Sequence, residues 1–199
     1  SFFNEIISSN LNVLIEKINH PIIADLGGGY GKLAYYILKN KKKFSFIDFD
    51  LPETLCLAAY YLNKCFPNKK ILLYGEEDFS NEMFKEYDLI FMPNYEIEKL
   101  SNDSIDLLVN KNSLGEMQPD QVKVYLKHIN RATRFFFHMN HEKIKNKFDN
   151  HSSSLIADEY PISTEKFQLL YKYPDFSSLI YKGVVDLNDD IYMRLYKKI

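Results

Sequence analysis

Four of the seven glycines in this 199-residue chain stand at Gly27, Gly28, Gly29 and Gly31, directly after the apolar run Ile22-Ile-Ala-Asp-Leu26. Glycine enters left-handed backbone conformations without a Cβ clash, so such a cluster marks a sharp turn or a close approach of backbone to a ligand. Beyond it Leu33, Ala34, Ile37 and Leu38 recur at helical spacing. The unit is strand, glycine turn, helix. In an open α/β sheet the ligand crevice lies beyond the carboxyl ends of the strands, and the first turn of this kind forms its floor.

The rest of the chain repeats the alternation. Phe44 to Phe49 reads as a second strand, and Pro52 opens a helix that turns Leu55, Ala58, Ala59, Leu62 and Phe66 inward. Further strands are expected at Ile71 to Tyr74, Asp88 to Met92, Ile105 to Val109 and Arg134 to Met139. Pro119 starts a helix with Val122, Tyr125, Leu126 and Ile129 on one stripe. Phe167 to Tyr173 and Ile191 to Lys197 follow with no convincing helix between them, and neighbours of that kind pair antiparallel. The expected fold is α/β, an open and mostly parallel sheet ending in an antiparallel edge hairpin. Residues 3 to 18 carry an apolar stripe of helical period closed by Pro21, so residues 1–20 read as an N-terminal helix and 21–199 as one domain. A start at Ser1 in place of Met leaves upstream truncation open.

Composition narrows the partners. Lys+Arg 25 against Asp+Glu 27 leaves a net charge of −2, with no basic face to track a phosphate backbone, so nucleic acid is not expected. The run Lys41, Lys42, Lys43 reads as a solvated turn. Cys56 and Cys65 fall on one helix, too few for a disulfide framework or a zinc site, and no metal is expected. No apolar stretch approaches a membrane span and no secretory signal opens the chain, so the expected location is cytoplasmic.

The glycine spacing then discriminates between ligands. A dinucleotide fingerprint, Gly-x-Gly-x-x-Gly, fails at Lys32, and the phosphate loop Gly-x-x-x-x-Gly-Lys-Ser/Thr fails at Leu33. Asp25, two residues before the first glycine, would suit a cationic ligand better than a pyrophosphate. Asp48 and Asp50 end the second strand 21 and 23 residues beyond Gly27. A carboxylate at that place can accept hydrogen bonds from ribose hydroxyls. Its alternative is to cap the helix opened by Pro52.

The runs Ala24-Asp-Leu-Gly-Gly-Gly-Tyr-Gly31 and Ile47-Asp-Phe-Asp-Leu-Pro-Glu-Thr54 resemble the first two motifs of class I S-adenosylmethionine-dependent methyltransferases. Together with Ser104 to Met117 and Tyr125 to Asn140 they are similar to the bacterial sugar O-methyltransferase family, over roughly residues 21 to 140. The resemblance implies a Rossmann-like fold and S-adenosylmethionine as cofactor. It places Asp25, Gly27, Gly28 and Gly29 at the methionine end, with Tyr30 as a cover, and Asp50 at the ribose with Asp48 as its alternate. Leu51 and Asn110 join that set. The adenine falls to Pro93, Asn94 and Tyr95 if Asp88 to Met92 is the third strand, or to Glu76, Glu77 or Asp78 if Ile71 to Tyr74 is; the first is preferred on segment length.

Methyl transfer to a sugar hydroxyl calls for alignment and a general base. Glu116 in Ser-Leu-Gly-Glu-Met117 is the first candidate and His141 the second, with Asn112, Ser113 and Asn140 as substrate contacts. The alternative for Glu116 is to serve only the N-terminus of the helix opened by Pro119, and for His141 to be a plain surface residue. His138 reads as a packed histidine and His128 as a structural one, while the polar stretch from Asn140 to Tyr160 reads as a lid. The partner implied is a small-molecule or glycan acceptor, with a homodimer or a partner enzyme also in view. Two competing readings are a nucleotide-dependent oxidoreductase and a non-catalytic subunit that keeps the fold.

Overall fold

A computed structural model describes residues 2–39, 41, 43–149, 151–177, 183–184 and 190–199; Lys42 and the side chain of Phe3 lie outside the described part. Helix α1 spans Phe2–Ile15, strand β1 Ile22–Leu26, α2 Lys32–Leu38, β2 Ser45–Asp50 and α3 Pro52–Cys65. Then come β3 (Ile71–Leu73), β4 (Leu89–Pro93), β5 (Ile105–Lys111), α4 (Pro119–Ala132), β6 (Thr133–His141), β7 (Phe167–Pro174) and β8 (Ile191–Lys198). Short 3-10 turns cover Asn81–Lys85, Asn94–Lys99, Ser113–Glu116 and Ala157–Glu159. Helix α1 stops at Ile15, ahead of Pro21, and the Ile18 N–H closes a turn onto the Ile15 carbonyl.

The eight strands form one sheet in the order β3-β4-β2-β1-β5-β6-β8-β7. All pairs from β3 to β6 are parallel, whereas β8 runs antiparallel between β6 and β7. The expected α/β sheet and its antiparallel edge are both present. Of the two segments competing for third place, β4 lies against β2, with Pro93 opposite Asp50 in register, and β3 is added outside it as an edge.

Alternation along the strands sorts the core into two layers. Ala24, Leu26, Ile47, Phe49 and Leu108 face α4, whose Val122, Leu126 and Ile129 are buried against them. On the opposite face Ile23, Phe46, Phe91 and Leu107 pack with Leu11 and Ile15 of α1, Leu33 and Ile37 of α2 and Leu62 of α3. Strands covered on both faces become continuous apolar runs, which is why the burial of β2 and β4 is unbroken. Helix α4 is held at its start by a reciprocal cap: Gln118 and Gln121 each satisfy the other's backbone N–H, and Pro119 sits where no donor is needed.

Candidate functional site

The carboxyl ends of β1, β2, β4 and β5 meet around the glycine turn. The Gly27 N–H donates to the Phe49 carbonyl at 2.8 Å, drawing the start of the turn across to β2. Gly27 has φ +75°, and a Cβ there would stand 2.3 Å from Ser113 Oγ. No side chain fits at that position. Gly28 is closed for a different reason: its Cβ would fall 2.9 Å from Asp48 Oδ1 and 3.0 Å from Asp25 Oδ2.

Between these ends lies a cleft of about 430 Å³, with Gly27, Gly29, Asp50, Leu51 and Asn94 among its lining residues together with Ser113, Glu116, Met117 and Tyr125. Asp50 is fixed at its rim. Its Oδ2 accepts the Gly29 N–H at 2.8 Å and its Oδ1 the Leu51 N–H at 2.7 Å. Each carboxylate oxygen has two acceptor directions, so capacity for a hydroxyl pair is left. Burial raises the Asp50 pKa, and the two N–H bonds work against that rise. No side chain caps α3, so the helix-cap alternative does not describe Asp50.

The other acidic residues have different surroundings. Asp25 and Asp48 are fully enclosed, at 1% and 0% exposure. Burial, then the Asp50 charge, pushes Asp25 up to about 7, with Lys111 pulling the other way. Asp48 is raised well above the carboxylate range by burial and by both neighbouring aspartates, and the Gly28 backbone N–H offsets part of this. Asp48 stands under the turn, away from the cleft lining that Asp50 occupies.

Several residues read as ligand contacts are placed as framework. Asn110 and Asn140 are completely buried. Asn110 donates to the Leu26 carbonyl at 2.7 Å, Asn140 donates to Asn110 Oδ1 at 2.8 Å, and Asn140 Oδ1 accepts the Gly115 N–H at 3.1 Å. This amide chain ties β1, β5, β6 and the Ser113–Glu116 turn together, and neither side chain opens on the cleft. Ser113 lines the cleft while its hydroxyl donates to the Leu26 carbonyl at 2.9 Å. Asn112 takes φ +69°, a conformation asparagine tolerates better than most side chains, to start that turn. Pro93 lines the neighbouring groove between α3 and β3, and Tyr30 leans edge-on against Tyr61 with ring centres 5.9 Å apart.

His141 and Glu116 flank Gly115. Glu116 is exposed and lines the cleft. The His141 ring is close enough that a Gly115 Cβ would meet its Cδ2 at 3.1 Å, and its Nδ1 is hydrogen bonded to Asp190. Burial opposes the Asp190 charge, but His141 and the N–H groups of Ile144 and Lys143 outweigh it and hold the carboxyl below its ordinary range. With Nδ1 engaged, Nε2 is the ring nitrogen left to take a proton. Asp190 carries no signal in the sequence that would link it to His141, 49 residues away. Tyr125 is legible in the sequence only as part of an apolar helical stripe, and Gln121 carries no signal there, yet both line the cleft.

His138 is fully buried among Phe136, Tyr160 and Tyr196, and burial, with Arg194 next, lowers its pKa to about 3. It is a neutral core residue. The polar stretch after β6 is anchored onto the site: Asn146 Nδ2 donates to the Gly115 carbonyl at 2.9 Å and Ser152 Oγ to Gln118 at 2.6 Å. A larger groove of about 950 Å³ opens at the amino ends of the parallel strands, away from the turn, near Asp103, Lys127 and Lys198. Among the described residues no group of His, Cys, Asp or Glu is arranged to hold a metal, and no helix is long and apolar enough to cross a membrane.

By sequence, no family model matches the chain and no curated protein is significantly similar to it. Solved structures are similar in shape. The mitomycin 7-O-methyltransferase MmcR aligns with TM-score 0.57 at 12% identity over 90% of this chain and 49% of that one, so the chain spans about half its length. The magnesium protoporphyrin IX methyltransferase ChlM from Synechocystis PCC 6803, with bound SAM, gives 0.60 at 11% identity over 100% of this chain and 81% of that one. The cyclase SpnF gives 0.63 at 10% identity over 98% and 80%. A scaffold shared by methyltransferases and a cyclase does not by itself name a reaction. At these identities the likeness establishes architecture, and the chain has the Rossmann-like fold of class I methyltransferase structures.

Proposed function

We propose that this protein is an S-adenosylmethionine-dependent O-methyltransferase whose acceptor is a hydroxyl of a sugar, or of a sugar-linked precursor of a surface polysaccharide or glycoconjugate. The observation that carries the reading is the convergence of the glycine turn, Asp50 and Asn94 on one cleft at the carboxyl ends of β1, β2 and β4. The sugar acceptor rests on the resemblance of Ser104 to Met117 and Tyr125 to Asn140 to sugar O-methyltransferases.

When bound, S-adenosylmethionine supplies an electrophilic methyl group on a sulfonium. The chain's part is to hold, align and deprotonate. Asp50, its carboxylate fixed by Gly29 and Leu51, accepts the ribose hydroxyls. Asn94 and Leu51 would bound the adenine side, and Gly27 and Gly29, which line the cleft, would offer bare backbone to the methionine end. Glu116 faces the cleft and receives the acceptor hydroxyl. His141, fixed by Asp190, takes the proton at Nε2. Such alignment supplies most of the rate in an in-line displacement, and a positioned base adds about 10²- to 10⁴-fold.

Calorimetric titration of S-adenosylmethionine and S-adenosylhomocysteine into the protein tests the cofactor. Asp50→Ala is expected to weaken binding about 10- to 100-fold, the worth of a charge-assisted hydrogen bond. No binding of either compound by the unaltered chain ends the reading. Incubation with methyl-labelled cofactor and extracts of surface polysaccharide precursors then tests the acceptor: label in a non-sugar product refutes the sugar.

A further inference from the structure

Two of the buried carboxyl groups have no work in the binding scheme above. Asp25 and Asp48 sit side by side in register on β1 and β2, pointing to the face covered by α1, α2 and α3. Oδ1 of Asp25 and both oxygens of Asp48 are buried without a hydrogen bond of ordinary geometry, the Gly28 N–H standing near enough to Asp48 to favour its charge without closing one. One oxygen of each lies within 3.0 Å of the point where a Gly28 Cβ would be, which leaves the groups inside the roughly 6 Å over which like charges oppose each other's ionisation.

The charged groups around them do not balance two negative charges. Asp50, at the end of β2, adds a third carboxyl group. Lys111 at the end of β5 is the cation acting on Asp25; its Nζ donates to Asn4 Oδ1 at 3.1 Å, and it is itself opposed by Lys32 of α2 and drawn by Asp175. Burial disfavours the Lys111 charge in its turn. Two carboxylates in such a place are costly, and a carboxylic acid beside a carboxylate removes one buried charge and lets the O–H donate to its neighbour.

We propose that Asp25 and Asp48 share one proton beneath the glycine turn, and that a ligand bringing positive charge to the far side of Gly28 displaces it, making the pair the element that selects cationic ligands over neutral ones. The carboxylic O–H bond breaks with its electron pair left on oxygen, and the proton passes to buffer. Binding and proton release are then one event. The pair acts across the backbone of Gly28 by charge alone, so Asp48 is a positioning residue for the cationic end of the ligand. This rests on the cofactor reading above, since S-adenosylmethionine carries both an ammonium and a sulfonium group.

The test is calorimetry on the full chain near pH 6.5 in two buffers of different ionisation enthalpy, which counts protons released on binding. S-adenosylmethionine is expected to release about half a proton or more per site, and 5′-methylthioadenosine, the nucleoside without either charge, close to none. Asp48→Asn is expected to abolish the release while ligand still binds. Equal heats in the two buffers for bound S-adenosylmethionine overturn the proposal alone, as does undiminished release from Asp48→Asn. Failure of S-adenosylmethionine to bind at all overturns the cofactor reading and the proposal together. The unaltered chain's proton count decides the matter even if the variant does not fold.

Discussion

The two halves of the sheet carry buried charge in opposite ways. Around β1 and β2, Asp25, Asp48 and Asp50 crowd beneath and beside the glycine turn, and burial raises all three pKa values. Around β6 and β8, Arg194 is 5% exposed yet answered on every side: Glu142 accepts from its Nε at 2.8 Å and its Nη2 at 2.7 Å, and Asp158 closes on the same nitrogen. Lys172 adds a second cation to Glu142 at 2.6 Å. The first half holds carboxyl groups in excess of cations where a ligand is expected, while the second matches its charge partner for partner. Unmatched buried charge can respond to a ligand; matched buried charge fixes geometry, here pinning the Ala157–Glu159 turn to the sheet.

The sharpest way to break this contrast is to remove one partner of the matched set. Arg194→Met leaves Glu142 buried, at 8% exposure, with Lys172 alone to answer it. Stranding a buried partner costs about 3 kcal/mol or more. Chemical denaturation reads this directly, and a loss below about 1 kcal/mol would mean that the cluster is no more than a hydrated surface network.

The halves also differ in the sign of their pH dependence. His138 is held neutral, its pKa lowered from 6.5 to about 3, so the unfolded chain binds the extra proton below pH 6.5 and stability is lost as pH falls through that window. Asp25, raised from 3.8 to about 7, binds more protons when folded, so its contribution is lost as pH rises through 3.8 to 7. Replacing His138 with Phe, which keeps the stack on Phe136 and Tyr196, removes the acid-side loss alone. Between pH 7 and pH 5 the His138→Phe chain is expected to gain about 2 kcal/mol relative to the unaltered chain. A difference near zero would show His138 already charged or open to water.

The same division decides what could be read from sequence. The strand, glycine turn and helix, the aspartate that ends β2 and the antiparallel edge follow from patterns set by spacing within short segments, and they were legible. Asn110 and Asn140 looked like ligand contacts because amides at strand ends commonly are, but which way an amide faces depends on a partner from another strand, and each found the other. Asp190 reaches His141, and Arg194 reaches Glu142, across sequence separations of 49 and 52 with no periodicity to announce them. The glycine-turn side of the cleft is written locally, and the side near Glu116 and His141 is assembled by long-range polar pairs.

The weakest perturbation sharpens the comparison most finely. Lys145 and Glu159 form an ion pair in the stretch after β6, with 38% and 40% of their side chains exposed. It holds the same Ala157–Glu159 turn that Asp158 ties to Arg194 of β8, but it does so from the stretch after β6 and in water, where Coulomb attraction is screened and two long side chains must be ordered to gain it. Lys145→Ala is therefore expected to cost under about 0.5 kcal/mol in denaturation, with no added loss at high salt. A cost near that of Arg194→Met would place the hold on the Ala157–Glu159 turn in its surface pair, and the buried Arg194 would cease to be what fixes that turn to the sheet.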